Sequence, residues 1–455
     1  MPHLLGVDLG TSYFKVGLFN ETGALLGLSR LPLRAESPVP GQFEVAVPLF
    51  WQLLREGVAG VLHQAGIRAD QIAGLSYSSQ ANTFVLLDRA DRPLTPLVLW
   101  TDKRGDPLPE ALAEFTRTDA YGRRIGFTGM TGGWAPAKWR WFRENRREVW
   151  LEVRRMQTIS DYFTFALTGQ SVGDAGTASL LGLYDLTAGD WWPAALNAFE
   201  IDSAKLSQPL PPGKSCGVTS AAAAERIGLP AGIPFAVGSL DHHMAALGSG
   251  LGRLADVSIS TGTVLAATTR VPDVLPLPGC YHGPDFRAGF YRLAFDPKGA
   301  GQLEEYQRQY APDLSLEQLV ALAAEAPAAQ TRATLGPPTS REAHGRQMRY
   351  LLEKIAAAQR TLVRHAVAGA PVQRVVATGG GARSELWLQI KADMLGVPVT
   401  APASPERACL GAAMAAAVAA GIYRDLDEAS AAMVQPGRTY EPNAAAVKTY
   451  AHWAG

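Results

Sequence analysis

The stretch Leu4-Leu5-Gly6-Val7-Asp8-Leu9-Gly10-Thr11-Ser12 decides how this chain is read. Its apolar run carries a carboxylate near its end, and a Gly-Thr-Ser turn follows directly. Phe14 to Phe19 then alternate, Asn20-Glu21-Thr22-Gly23 marks a second turn, and Ala24 to Leu33 forms a third run. Two turn signals between three strand-like runs predict an antiparallel meander. A carboxylate at the tip of the first strand can organise Mg²⁺ and its waters. The N–H groups and hydroxyls of Gly10, Thr11 and Ser12 can meet phosphate oxygens, and Lys15 can neutralise charge. Alone, such a turn is an ordinary hairpin connection.

Further along, the pattern returns. Asp256 to Ser260 leads into Thr261-Gly262-Thr263 and then Val264 to Thr269, again strand, small-residue turn, strand, but without the acid. The pair points to a duplicated unit with a phosphate turn in each copy. Between them, Phe50, Leu53, Leu54, Val58, Val61 and Leu62 recur at helical spacing within Pro48 to Ala65, and Ile72 to Ser76 and Phe84 to Asp88 read as strands. Later, Val375-Val376-Ala377 runs into Thr378-Gly379-Gly380-Gly381-Ala382-Arg383-Ser384. A helix is expected from Ser384 to Met394, a strand from Val397 to Thr400, and an Ala-rich helix after Glu406. Three glycines between strand and helix let a flat ring or a phosphate approach the backbone. The spacing is not GxGxxG, and no GxxxxGK[ST] loop occurs. Val271 to Pro284, rich in proline and glycine, reads as loop, and Ala321 to Pro338 is the least readable part.

Bulk composition narrows the class. The 455 residues exceed the roughly 250–300 at which one core stops growing, so at least two domains are expected. A hydrophobic fraction of 47% and a charged fraction of 18% are those of an ordinary globular chain. With 42 basic and 42 acidic residues there is no general field for nucleic acid or anionic membrane, so phosphate must be bound locally. Cys216, Cys280 and Cys409 are scattered and lack CxxC spacing, which predicts neither a disulfide framework nor a zinc site, and a cytoplasmic location is expected. No stretch reaches the ~20 apolar residues of a membrane span, and the N-terminus does not read as a signal peptide.

Phosphoryl transfer to an alcohol needs a group that accepts the hydroxyl proton. The candidate is Asp241 in Gly238-Ser239-Leu240-Asp241-His242-His243, with a helix N-cap as its plainer role. The two adjacent histidines point different ways on a helix and are taken as structural.

In this order, the segments resemble the FGGY carbohydrate kinases over nearly the whole chain. Asp8 to Ser12 is similar to the family's first phosphate motif, Ser260-Thr261-Gly262-Thr263 to its second, and Gly379 to Ser384 to its adenosine motif. Trp100-Thr101-Asp102-Lys103-Arg104 is similar to a W-x-D-x-R element near the sugar. Lys138 to Asn145 follows the first family signature, broken only at Ala135, and the second signature, expected within Gly345 to Val367, is degenerate. The resemblance implies an α/β, duplicated actin-like ATPase (ribonuclease H-like) fold of two domains with an interdomain cleft, divided here as 1–245 and 246–455. It further implies ATP and Mg²⁺ as cofactors, with Asp241 as general base and Asp8 as the metal organiser. Thr11 and Thr263 would lie at the phosphates, Gly380 and Gly381 under the adenine, and Gln80, Asn82, Trp100 and Asp102 on the sugar side. Trp100 and Trp139 also read as core aromatics, and Arg104 as a partner for a nearby carboxylate.

Where family members acting on glycerol carry Arg-Glu after the counterpart of Gln80, and those acting on xylulose carry Met-His, this chain has Ala81-Asn82. A neutral amide supplies no charge, so glycerol is disfavoured. A small sugar, with a ketopentose such as xylulose first, is the expected acceptor; another ketose, a polyol or a sugar acid is the alternative. An actin-like ATPase without sugar-kinase activity is the alternative of a different class. No nucleic-acid or membrane partner is expected, and a homodimer is compatible with the reading.

Overall fold

The computed structural model describes residues 1–262, 264–328, 335–451 and 453. The chain divides into two compact units. Unit 1 comprises Met1–Gly248, Val271–Tyr291 and Glu406–Val434, and unit 2 comprises Ser249–Arg270, Arg292–Pro405 and Gln435–Gly455.

Unit 1 is built on the meander that the first residues predict. Strand β1 (His3–Leu9) pairs antiparallel with β2 (Tyr13–Asn20), and β2 pairs antiparallel with β3 (Leu25–Pro32). Helix α1 (Val47–Ala65) lays Phe50, Leu54, Val58 and Val61 into the core, and β4 (Ile72–Ser79) joins β1 in parallel on its other side. The short strand β5 (Ser239–Leu240) runs parallel to the end of β4 and leads straight into helix α2 (Asp241–Leu247). Three strand ends, β1, β4 and β5, therefore open on the same edge.

Unit 2 repeats this plan. Strand β6 (Val257–Thr261) pairs antiparallel with β7 (Leu265–Val271). Helix α3 (Arg341–Val367) follows, and β8 (Val375–Thr378) then joins β6 in parallel. Beyond it come helix α4 (Glu385–Leu395), strand β9 (Val399–Thr400) parallel to β8, and β10 (Thr439–Tyr440) antiparallel to β9. Antiparallel partner on one side and parallel partner on the other is the arrangement of β1 in unit 1. The core of unit 2 gathers Leu265, Leu303, Leu319, Met348, Leu352, Trp387 and Ile390.

One late segment belongs to unit 1. Helix α5 (Arg407–Ala419), almost wholly alanine, glycine and small apolar residues, packs against β1, β4 and α2. Contact is backbone to backbone: a Cβ at Gly6 would lie 2.0 Å from the Cys409 carbonyl oxygen, and one at Gly74 would lie 2.6 Å from that of Ala416. Only glycine permits such an approach, so the helix clamps the strands that carry the Asp8 turn. The stretch expected as loop from Val271 to Pro284 ends instead in a strand, Cys280–Pro284. Its prolines precede the strand or close it, where no ladder bond is lost. Inside it Cys280 is buried and His282 donates from Nδ1 to the Gly126 carbonyl at 2.6 Å. Residues 329–334, part of the hard-to-read stretch, lie outside the described residues. No helix among the described residues is long and apolar enough to cross a membrane.

Candidate active site

Strand register assembles the first site. In the β1–β2 ladder Asp8 stands opposite Lys15, and in the β1–β4 ladder it stands beside Ser78. Both neighbours reach its carboxylate: Lys15 Nζ donates to Oδ2 at 3.2 Å and the Ser78 hydroxyl to Oδ1 at 3.0 Å. Lys15 also faces Glu406 at 3.5 Å, and Glu406 is in turn paired with Arg30. Burial raises the Asp8 carboxyl above its usual value; Lys15 opposes this and the Asp241 carboxylate adds to it. Burial works against the charge on Lys15, yet Asp8 in front, with Glu406 behind, holds it above the ordinary lysine value. The β1–β4–β5 register puts Asp8 and Asp241 on one strand edge.

Asp241 follows because Ser78 and Ser239 are partners in the β4–β5 ladder, and Asp241 comes two residues after Ser239. It is the first residue of α2 rather than its cap, since Leu240 holds the cap position without a side-chain bond. Its Oδ1 accepts the neighbouring His242 N–H at 2.7 Å, and the side chain is partly exposed. Ser12 lies exposed on the turn. Thr11 donates to Gln80 Oε1 at 3.4 Å and accepts from the Trp100 indole at 2.8 Å. The turn expected at the phosphates thus touches two residues expected on the sugar side.

Gln80 is buried, with Nε2 on the Gly10 carbonyl at 3.2 Å and Oε1 receiving the Thr83 hydroxyl at 3.0 Å. Asn82 sits at φ +62°, its amide donating to the Leu180 carbonyl and accepting from Ala135 N–H, both at 2.9 Å. Asp102 is fully buried and receives the Phe43 N–H together with the backbone N–H and guanidinium of Arg104, which also reaches Glu44. These three residues have their polar atoms engaged by the protein itself. Trp100 is 38% exposed, while Trp139 is a core residue. Lys138 lies beneath, donating to the Leu99 carbonyl at 2.7 Å and the Asn82 carbonyl at 3.3 Å. Burial pulls it down to about 7. Sequence reading gave Lys138 no role of its own, and no local pattern marks one.

In unit 2 the second turn expected at the phosphates meets the glycine turn at Thr261. Gly379 has φ +76°, and a Cβ there would lie 2.6 Å from the Thr261 carbonyl oxygen; one at Gly381 would lie 2.8 Å from Thr261 Cβ. Gly380 is open, with nothing within 4 Å of the same position. The buried Thr261 hydroxyl donates to Gln359 Oε1 at 3.2 Å and accepts from Lys391 Nζ at 2.8 Å. Gly262 donates to the Val264 carbonyl and accepts from Ala300 N–H. Ser384 caps α4 by accepting the Trp387 N–H at 3.2 Å, worth about 1 kcal/mol. Lys391 is fully buried over the Trp387 ring and is pulled down to about 7 by burial. Thr263 lies outside the described residues.

No group of three or more His, Cys, Asp or Glu able to hold a metal ion occurs among the described residues. Asp8 with Asp241 nearby suits a Mg²⁺ ion that keeps most of its waters and is carried by phosphates, because such an ion asks the protein for one or two carboxylates only.

Comparison with known proteins supplies the rest. Residues 3–248 match the N-terminal domain, and residues 206–420 the C-terminal domain, of the FGGY family of carbohydrate kinases. The chain is 28% identical to an L-xylulose/3-keto-L-gulonate kinase of Escherichia coli (strain K12), across 98% of this chain and 94% of that one. It is 28% identical to an autoinducer-2 kinase of the same strain, across 97% and 90%. The crystal structure of a xylulose kinase from Rhodospirillum rubrum superposes with a TM-score of 0.86 at 27% identity, covering 99% of this chain and 96% of that one.

Proposed function

This chain belongs to the FGGY family of carbohydrate kinases, and from that premise we propose that it transfers the γ-phosphate of Mg-ATP to a hydroxyl of a ketopentose such as xylulose, with Asp241 as the general base. The observation that carries the reading is the row of strand ends at which Asp8, Gln80 and Asp241 collect, the edge where open α/β sheets bind their ligands.

Asp241 accepts the proton of the acceptor hydroxyl as its oxygen bonds to the γ-phosphorus, and the bond from that phosphorus to the bridging oxygen of ADP breaks. Asp8 would hold Mg²⁺ through its waters, and Asp241 stands near enough to share that field. The ion's chemistry is to offset charge on the phosphates. Lys15 balances Asp8 on the donor side. Gly10, Thr11 and Ser12 serve the phosphates as the first phosphate turn, and Thr261, Gly262 and Thr263 act as the second. Gly379, Gly380, Gly381 and Ser384 take the adenosine, with Gly380 as the open point of approach. Trp100 gives the acceptor its apolar face. Gln80, Asn82 and Asp102 act on the sugar side through the backbone turns that they fix.

A neutral ketose is favoured over a sugar acid by the cations of this edge. Lys15 is paired with Asp8 and Glu406, Arg104 with Asp102 and Glu44, and Lys138 is sunk onto two carbonyls. ADP release with Mg-ATP against ketopentoses, hexuloses, polyols and sugar acids tests this. Turnover highest on a ketopentose supports the proposal, and turnover highest on a sugar acid or a polyol overturns it. The related kinases named for L-xylulose, 3-keto-L-gulonate and autoinducer-2 define the acceptors to include.

A further inference from the structure

Asp241 stands between two residues that are bonded to each other. Ser239 Oγ and His243 Nδ1 are 2.9 Å apart, closing a bridge from the residue two before Asp241 to the residue two after it. The other ring nitrogen, Nε2, lies 2.9 Å from Asp285 Oδ1, contributed by unit 1's segment Val271–Tyr291. A carboxylate can only accept, so Nε2 carries a proton, and in the neutral imidazole Nδ1 then receives the Ser239 hydroxyl proton. The ring is held edge and face: its centroid is 4.0 Å from Phe286 at an interplanar angle of 24°, and 4.4 Å from Tyr291. Tyr291 is itself tied through its hydroxyl to the Gly176 carbonyl at 3.0 Å, and Gly176 leaves no room for a Cβ, which would lie 2.1 Å from Ser239 Oγ. Ser239, His243 and Asp285 are all buried.

Three polar groups withdrawn from water give no net stability that a well-packed apolar trio would lack, but fully bonded they specify one geometry. The residue they frame is the carboxylate that must meet a hydroxyl at hydrogen-bond distance, where a displacement of about 1 Å can cost about 10²-fold in rate. We infer that Ser239, His243 and Asp285 form a clamp that positions Asp241, making His243 and Asp285 positioning residues for phosphoryl transfer. This rests on the reading of Asp241 as the base.

The test uses the full chain, Mg-ATP and the acceptor of the panel that it phosphorylates fastest. Asp285→Ala, His243→Ala and the milder Ser239→Ala are compared with His243→Gln, which keeps a donor at the Nε2 position. The clamp predicts a fall in kcat of roughly 10- to 100-fold for the alanine variants, with KM for ATP within about twofold of wild type, and substantial recovery in His243→Gln. In an Asp241→Asn background the same changes should have no further effect, because nothing is left to position. Ser239→Ala removes only a hydroxyl and serves as the readout should the larger deletions fail to fold. Wild-type kcat in Ser239→Ala, or an unchanged loss in the Asp241→Asn background, overturns the clamp. Wild-type kcat in Asp241→Asn itself overturns the base assignment instead.

Discussion

The two turns expected at the phosphates follow equivalent strands of the same topology and are built from opposite materials. In unit 1 the turn after β1 is charged: Asp8 is ringed by Lys15, Ser78 and the field of Asp241. In unit 2 the turn after β6 carries no acid, and Thr261 is locked from within by Gln359 and Lys391 while glycines press on its backbone. The repeated plan thus gathers charged side chains in one copy and close backbone approach in the other. Each unit also buries a lysine over an aromatic ring, Lys138 over Phe84 and Lys391 over Trp387. Lys138 in unit 1 donates to two carbonyls, and Lys391 in unit 2 to a hydroxyl.

If charge chemistry belongs to unit 1, the largest effect should come from Asp241→Asn. A loss of ~10²–10⁴ in kcat with near-normal ATP binding is expected, read by ADP release and by nucleotide titration. Next comes Asp8→Ala, which should lower turnover by about 10²–10³ for every acceptor alike, since it acts on the donor. An effect confined to one acceptor's KM would move Asp8 out of the nucleotide site. In unit 2 the sensitive point should be backbone. Gly379→Ala adds a Cβ at φ +76° and ψ −174°, a cost of roughly 1–3 kcal/mol before the contact with Thr261 is counted, and should weaken ADP binding about tenfold in calorimetry. Equal ADP affinity in that variant would break the contrast.

The smallest effect is on stability. Lys138 and Lys391 both titrate near 7 when folded, against 10.5 ordinarily. Between about 7 and 10.5 the unfolded chain binds more protons, so stability rises with pH across that window; below about 7 the burial cost is fully present. Lys391→Met should flatten part of this rise, a change in Tm on the order of a few degrees between pH 7 and 9. An unaltered slope would mean that Lys391 stays charged in the fold.

Much of this was legible in the residues. The three opening runs and both small-residue turns became β1 to β3, β6 and β7, because the alternation of apolar residues and the glycines act locally. What stayed hidden depends on distant partners. Asn82 looks like a sugar ligand in sequence, yet its amide is claimed by the Leu180 carbonyl, 98 residues on. His243 looks structural, and its bond to Asp285 cannot be read across 42 residues of chain. The Ala-rich helix was visible as a helix, but its place against Gly6 and Gly74 is a property of the folded strands.

The central claim is that phosphate passes from ATP to a sugar under the control of Asp241. Incubating the chain with γ-³²P-labelled Mg-ATP, with and without xylulose, and separating the products tests it directly. The account predicts label in a sugar phosphate with xylulose, little release as inorganic phosphate without it, and loss of the sugar product in Asp241→Asn. Label appearing as inorganic phosphate at the same rate with and without any sugar of the panel would contradict it.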